Sequence, residues 1–227
     1  MYIYGKQVFW HLLENHPTLI EEVYLAKEVD KKEFGKIVGL GKKIVKLDEK
    51  KAQAMARGGS HQGFLAKVSE LELQPLDKVK KFDFLVALVG VTDVGNIGSI
   101  VRTAHALGAG GVILSQVKDL NLEGAVKSSS GAIFDTPLVH ISNPLDMVHE
   151  LKQAGFFVVA AGLGGDESRN AEFPKKTVLL LGSEGEGLPK KVLQKADKSV
   201  TIKMHNNFNS LNVATAAAIL IDRMIRE

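Results

Sequence analysis

Residues 82–107 read FDFLVALVGVTDVGNIGSIVRTAHAL, and this stretch decides the fold. Phe82 to Val91 is a near-continuous apolar run of strand length. Thr92 to Gly95 is a polar, glycine-bearing turn. After it Ile97, Ile100, Val101, Ala104 and Leu107 recur at helical spacing. A strand apolar on both faces belongs inside a parallel sheet covered on both sides. Five further Val/Leu/Ile-rich runs follow, at residues 111–114, 137–141, 156–161, 178–181 and 200–203, with helical segments between most of them. The pattern predicts an α/β domain with a parallel sheet over residues 82–227. Upstream, residues 1–72 read as a small alternating α/β unit. Helices are expected at 4–14, at 31–40 and, behind an Asp48 cap, to about Met55; strands are expected at 22–26, 43–47 and 61–68. The polar segment LQPLDKVKK at 73–81 suits a linker.

Composition removes several classes of chemistry. The 227 residues include no cysteine, which excludes disulfides, thiolate metal sites and cysteine nucleophiles. Seven histidines show no H-x-H or H-E-x-x-H spacing, so no metal is expected. The start, MYIYGK, lacks the pattern of a secretory signal, and no apolar run reaches membrane-spanning length, so the expectation is a cytoplasmic protein without a membrane. A net charge of +3 permits a polyanionic partner without requiring one.

Three segments carry chemistry. In the first, Asn96 stands at a helix entrance, where its amide can cap the helix or hold a ligand, and Arg102 falls off the packing stripe, free to face a cleft. A capped strand-to-helix junction with a surface arginine satisfies the same pattern. In the second, LLLGSEGEGLP at 179–189, three glycines at a strand end let backbone approach a ligand, and Glu184 can pair with an arginine from elsewhere. It is neither a Walker loop nor a G-x-G-x-x-G fingerprint. In the third, IKMHNNFNSLNVATA at 202–216, a strand ends in an amide-rich loop and Ser210 is expected to cap a final helix. That helix is apolar nearly all round, which requires burial in the fold or against a second subunit. In the N-terminal unit, the turn from Arg57 to Gly63 is the better candidate for contact with a polyanion, because the lysines around it are interleaved with acids. Residues 162–174 (GLGGDESRNAEFP) read as a long polar loop, a lid or an idle surface.

Taken together and in order, the motifs Asn96-Ile97-Gly98-Ser99-Ile100-Val101-Arg102, Gly182-Ser183-Glu184-Gly185-Glu186-Gly187 and Ser210-Leu211-Asn212-Val213 resemble the signature of the SpoU (TrmH-like) branch of the SPOUT methyltransferases. The N-terminal Ile3-Tyr4-Gly5 and His61-Gln62-Gly63 are similar to the substrate-binding domain of the subgroup that modifies guanosine in large-subunit ribosomal RNA. The resemblance implies a catalytic domain tied into a trefoil knot, an L30e-like RNA-binding domain and a homodimer. It implies S-adenosylmethionine as cofactor, held mainly by backbone near Gly182, Ile202 and Leu211. It puts Arg102, Asn96, Glu184, Ser210 and Asn212 in active-site positions, with Glu184 orienting Arg102, and Arg57, His61 and Gln62 in position to meet RNA. Ribosomal RNA is favoured over transfer RNA. Arg102 would act either as the base that takes the 2′-hydroxyl proton or as a cation that anchors phosphate and steadies the developing alkoxide. Two rivals remain at this stage, a nucleotide-dependent enzyme on an ordinary doubly wound sheet and a non-catalytic RNA-binding protein. The first lacks its fingerprint, since Ser115-Gln116 stand where a ribose-binding acid would follow the 111–114 strand.

Overall fold

The computed structural model describes residues 1–117, 120–169, 171–205 and 210–225. The N-terminal unit contains β1 (Tyr2–Tyr4), α1 (Lys6–Asn15), β2 (Ile20–Leu25), α2 (Lys31–Gly39), β3 (Lys43–Lys46), α3 (Glu49–Met55) and β4 (Phe64–Val68). Its sheet has the order β1-β4-β2-β3, with β4 antiparallel to both neighbours and β2 parallel to β3. Asp30 and Asp48 cap α2 and α3 through side-chain acceptance of backbone N–H groups. The first helix begins at Lys6 instead of Tyr4, because Tyr2–Tyr4 pairs with the closing strand and Gly5, at φ 105°, turns the chain between them.

The second unit holds β5 (Phe84–Val89), α4 (Val94–Ala106), β6 (Val112–Ser115), α5 (Glu123–Ser128), β7 (Leu138–Ile141), α6 (Pro144–Gln153), β8 (Phe157–Glu167), β9 (Thr177–Gly182), α7 (Lys190–Leu193), β10 (Lys198–Thr201) and α8 (Val213–Met224). All six strands are parallel, in the order β10-β8-β9-β5-β6-β7. Every residue of β5 is buried, as a central strand covered on both faces requires.

Three local departures shape the site. Residues 73–81, expected as a polar linker, lie against the sheet: Gln74 N donates to Leu138 O (2.7 Å), and Leu76 and Val79 are buried with Leu85, Ile113 and Val139. Two apolar residues among five charged or polar ones are enough to anchor a short turn. The strand expected to stop at residue 161 runs on to Glu167. It pairs with β10 at Val159 and Ala160, leaves the ladder, and returns at Asp166 and Glu167. The excursion is glycine-rich and carries Leu163 at 80% exposure. Finally, Gly98 lets α4 press onto α5: a Cβ there would lie 2.4 Å from Ala125 O and 2.9 Å from Ser129 N.

The units share buried apolar surface, one cluster containing Ile3, Phe9 and Phe64 together with Val126 and Ile133. Polar contacts also cross between them, including Arg57 to Glu123 (3.0 Å). Among the described residues, no helix is long and apolar enough to cross a membrane.

Candidate active site

Asp93, not Asn96, caps α4: its carboxylate accepts the Asn96 backbone N–H at 2.7 Å. That leaves the Asn96 side chain free to reach across the C-terminal edge of the sheet. Its Nδ2 donates to Glu184 Oε1 (3.1 Å), and its Oδ1 accepts from Asn212 Nδ2 (2.9 Å).

Glu184 stands in the loop after β9, which closes on itself through a bridge between Ser183 and Gly187. Gly182 is required by this closure, since a Cβ there would meet Gly187 C at 2.2 Å. Gly187 itself sits at φ 66°. The close approach that these glycines permit is therefore between the loop and its own return. Oε1 of Glu184 also accepts from Asn212 Nδ2 (2.6 Å) and from the Val213 backbone N–H (3.2 Å). The carboxylate thus lies at the N-terminus of α8, where the helix dipole favours a negative charge.

The cap of α8 corrects a second expectation. Ser210 does not perform it; Asn212 Oδ1 accepts from Ala214 N (2.9 Å) and Thr215 N (3.3 Å). An amide offers an acceptor for the helix and two donors, here spent on Glu184 and Asn96, whereas a hydroxyl has only one donor. Ser210 instead lines a cleft of about 550 Å³, together with Gly182, Glu184, Ile202, Leu211 and Leu163. That size and its mainly apolar wall suit a nucleoside-sized ligand. Three of these residues, Gly182, Ile202 and Leu211, are those that the family resemblance associates with cofactor backbone contacts. The amide-rich residues 206–209 lie outside the described residues.

Arg102 departs from expectation. It is exposed on α4, but its Nη1 donates to Ser130 Oγ (3.0 Å), and among the described residues it makes no ion pair with Glu184 or any other acid. Glu184 is already occupied by two amides and a helix N–H. Ser130, at φ 54°, passes the contact on, its hydroxyl donating to Gln7 Oε1 of α1 (3.4 Å). Neither Ser130 nor Gln7 carried a sequence signal, because the contact joins polar residues 123 positions apart.

In the N-terminal unit, Arg57 and Gln62 adopt positive φ (47° and 53°) in the turn that precedes β4. Arg57 is well exposed; Gln62 accepts the Lys6 backbone N–H through Oε1 (3.1 Å). His61 is the exception to the expected RNA-facing set. Its residue is only 4% exposed, its Nδ1 accepts from Gly63 N (3.1 Å) and its Nε2 donates to Glu49 Oε1 (3.1 Å). It braces the turn from inside and has no face to offer a polyanion.

Residues 83–222 match the family described as SpoU rRNA Methylase, and residues 2–74 match RNA 2'-O ribose methyltransferase substrate binding. The chain is 30% identical to the putative TrmH family tRNA/rRNA methyltransferase YacO of Bacillus subtilis, over 100% of this chain and 95% of that protein. It is 30% identical to the 23S rRNA (guanosine-2'-O-)-methyltransferase RlmB of Pseudomonas syringae, over 99% of this chain and 95% of that one. The AdoMet-bound rRNA methyltransferase of Sinorhizobium meliloti superposes with a TM-score of 0.80 at 28% identity, covering 98% of this chain and 85% of the other.

Proposed function

Because the chain belongs to the SpoU rRNA Methylase family, we propose that it moves a methyl group from S-adenosylmethionine to a ribose 2′-oxygen, and that its target is a guanosine of large-subunit ribosomal RNA. The observation that carries this reading is the three-way network of Asn96, Glu184 and Asn212 on the rim of the glycine-walled cleft. Full-length similarity to an enzyme of that specificity supports the ribosomal target over a transfer RNA.

When bound, S-adenosylmethionine supplies an activated methyl group on a sulfonium. The cleft walls at Gly182, Ile202 and Leu211 would offer backbone groups to hold it, and the exposed Leu163 lines the same cleft. Asn96 and Asn212 hold the Glu184 loop against the start of α8, which fixes the shape of the pocket where ribose must meet the cofactor. Arg102 serves the acceptor: a guanidinium stays protonated, so it steadies the charge on the 2′-oxygen while that hydroxyl passes its proton to solvent water, and it anchors a neighbouring phosphate. Arg57 and Gln62 lie on the exposed turn of the N-terminal domain and contact the RNA.

The trefoil knot and the homodimer belong to the same reading. Supporting a second copy, α8 keeps Ala214, Ala218 and Ile219 only partly buried within one chain. The test is to incubate the protein with labelled S-adenosylmethionine and either ribosomal RNA or bulk transfer RNA from cells lacking it, then map ribose methylation. Label on one guanosine of the large-subunit RNA is the expected result. Label confined to transfer RNA would move the target, and label on neither would defeat the reading.

A further inference from the structure

The domains are also joined by a cluster for which the methyl-transfer chemistry has no use. His11 stands in the second half of α1. The helix ends at Asn15, and His16, at φ −134° before Pro17, turns out of the helical path so that its ring comes back beside His11, centroids 6.0 Å apart. From the catalytic domain, in the turn after α5, Asp135 reaches both: His11 Nε2 donates to Oδ2 and His16 Nε2 to Oδ1, each at 2.6 Å. The rings are set by packing. A Cβ on Gly131 (φ 95°) would lie 2.7 Å from the His11 ring, so glycine there makes room for it, and the Phe134 ring lies 6.3 Å from that of His16. Burial pushes the Asp135 carboxyl up, but hydrogen bonds from His16 and His11 outweigh it and hold the group below the usual aspartate range.

We propose that His11, His16 and Asp135 form a binding site for a divalent transition-metal ion of the zinc class, which staples the RNA-binding domain to the catalytic domain. One ligand atom from each residue lies within 4.8 Å of the others. Two imidazoles and a carboxylate are the donor set of three-ligand zinc-type sites, with a fourth position left to water. The side chains are 28%, 25% and 20% exposed, which leaves that position open to solvent. Bonds of about 2.0–2.1 Å put tetrahedral ligands roughly 3.3 Å apart, so the ion enters when the two 2.6 Å contacts to the carboxylate open by under about 1 Å and the imidazole nitrogens, already within 4.8 Å, adjust to the same spacing. Each histidine then carries its proton on Nδ1. Asn15 stays on the His11 backbone, its Nδ2 donating to His11 O (3.0 Å), so the Nδ1 protons are left to solvent. Spacing in the sequence conceals the site, because the histidines are five residues apart and Asp135 lies 119 beyond the nearer one.

The full chain, stripped with chelator, is titrated with Co²⁺ while visible absorption is followed, and with Zn²⁺ by calorimetry and thermal melting. Expected are one ion per chain, a visible Co²⁺ spectrum typical of nitrogen–oxygen coordination, and a melting temperature raised by Zn²⁺. Asp135→Asn and His16→Gln each weaken binding by at least about tenfold. His16→Gln keeps size and polarity, so it decides the matter if Asp135→Asn fails to fold. Absence of saturable binding to the wild type, or equal binding by His16→Gln, overturns the proposal. No readout involves methyl transfer, so its failure is separate from failure of the activity proposed above.

Discussion

Asn96 and Arg102 stand on the same helix, about 9 Å apart along its axis, yet they keep different company. Asn96 is tied to Glu184 and Asn212, residues 88 and 116 positions away, in a network that closes within one chain. Arg102 has one polar contact among the described residues, with Ser130, and through it reaches Gln7 of the N-terminal domain. The Glu184 charge is met by amides and a helix N-terminus, so it makes no claim on a guanidinium. Arg102 is left for the RNA in the reading proposed above, and the turn that holds it, residues 129–135, is also the turn docked on α1. One end of α4 is tied into the cleft network, and the other is tied, through Ser130, to the N-terminal domain.

The largest effect expected from this difference is at Arg102. Arg102→Ala should lower single-turnover methyl transfer by about 10²–10³-fold, the size of losing a donor aimed at developing charge. Its affinity for S-adenosylmethionine, measured by calorimetry, should stay within about twofold. A matching loss of affinity would break the comparison, since the two ends of α4 would then act as one site. Gly98 lies between them. Gly98→Ala places a methyl against backbone atoms of α5, so α4 must shift. Overpacking of this kind costs about 1–3 kcal/mol. For a chain of this size each kcal/mol lowers the melting temperature by about 2–4 °C, and both affinity and rate should suffer.

Glu184→Gln should act in reverse to Arg102→Ala. The substitution removes the ionised acceptor of three donors while keeping the shape of the side chain. Hydrogen bonds to charged groups are worth about 1.5–3 kcal/mol, and this exposed one belongs at the lower end. Cofactor affinity should fall about tenfold, with a smaller change in the rate at saturation. A rate loss with unchanged affinity would mean that Glu184 serves the reacting groups directly.

Much of this arrangement could be read from the chain. Six apolar runs became six parallel strands because a sheet buried on both faces needs continuous Val, Leu and Ile, and Asp48 marked its helix because its carboxylate has an N–H to accept. Asn96 and Glu184 stood out as polar residues at strand ends, the family resemblance added Asn212, and the three do meet. What escaped has physical causes. β1 is three residues long and takes its stability from β4, 60 residues away. The far end of β8 is hidden by glycines and acids that look like loop until β10 pairs with them. Asp93 and Asn212 outcompeted Asn96 and Ser210 as caps, a choice among neighbouring acceptors that depends on which side chain is needed elsewhere. Burial of His61 and the partners of Arg102 depend on how the domains and turns pack, which no local pattern encodes.

The smallest effect tests the Arg102 end of α4. If Ser130 only holds Arg102 in readiness, Ser130→Ala removes one hydrogen bond near the surface, with a net worth of about 0.5–1.5 kcal/mol. The chemical step at saturating RNA should then change by less than about fivefold, since Arg102 finds its partner on the RNA once that is bound. The Michaelis constant for RNA should carry most of the change, and Gln7→Ala should imitate it, because Gln7 acts on Arg102 only through that hydroxyl. Combining Ser130→Ala with Gln7→Ala should add nothing beyond either alone, as expected of residues sharing one contact. Additive losses would show instead that Gln7 meets the RNA on its own account, and the link between the substrate domain and Arg102 would be reduced to proximity.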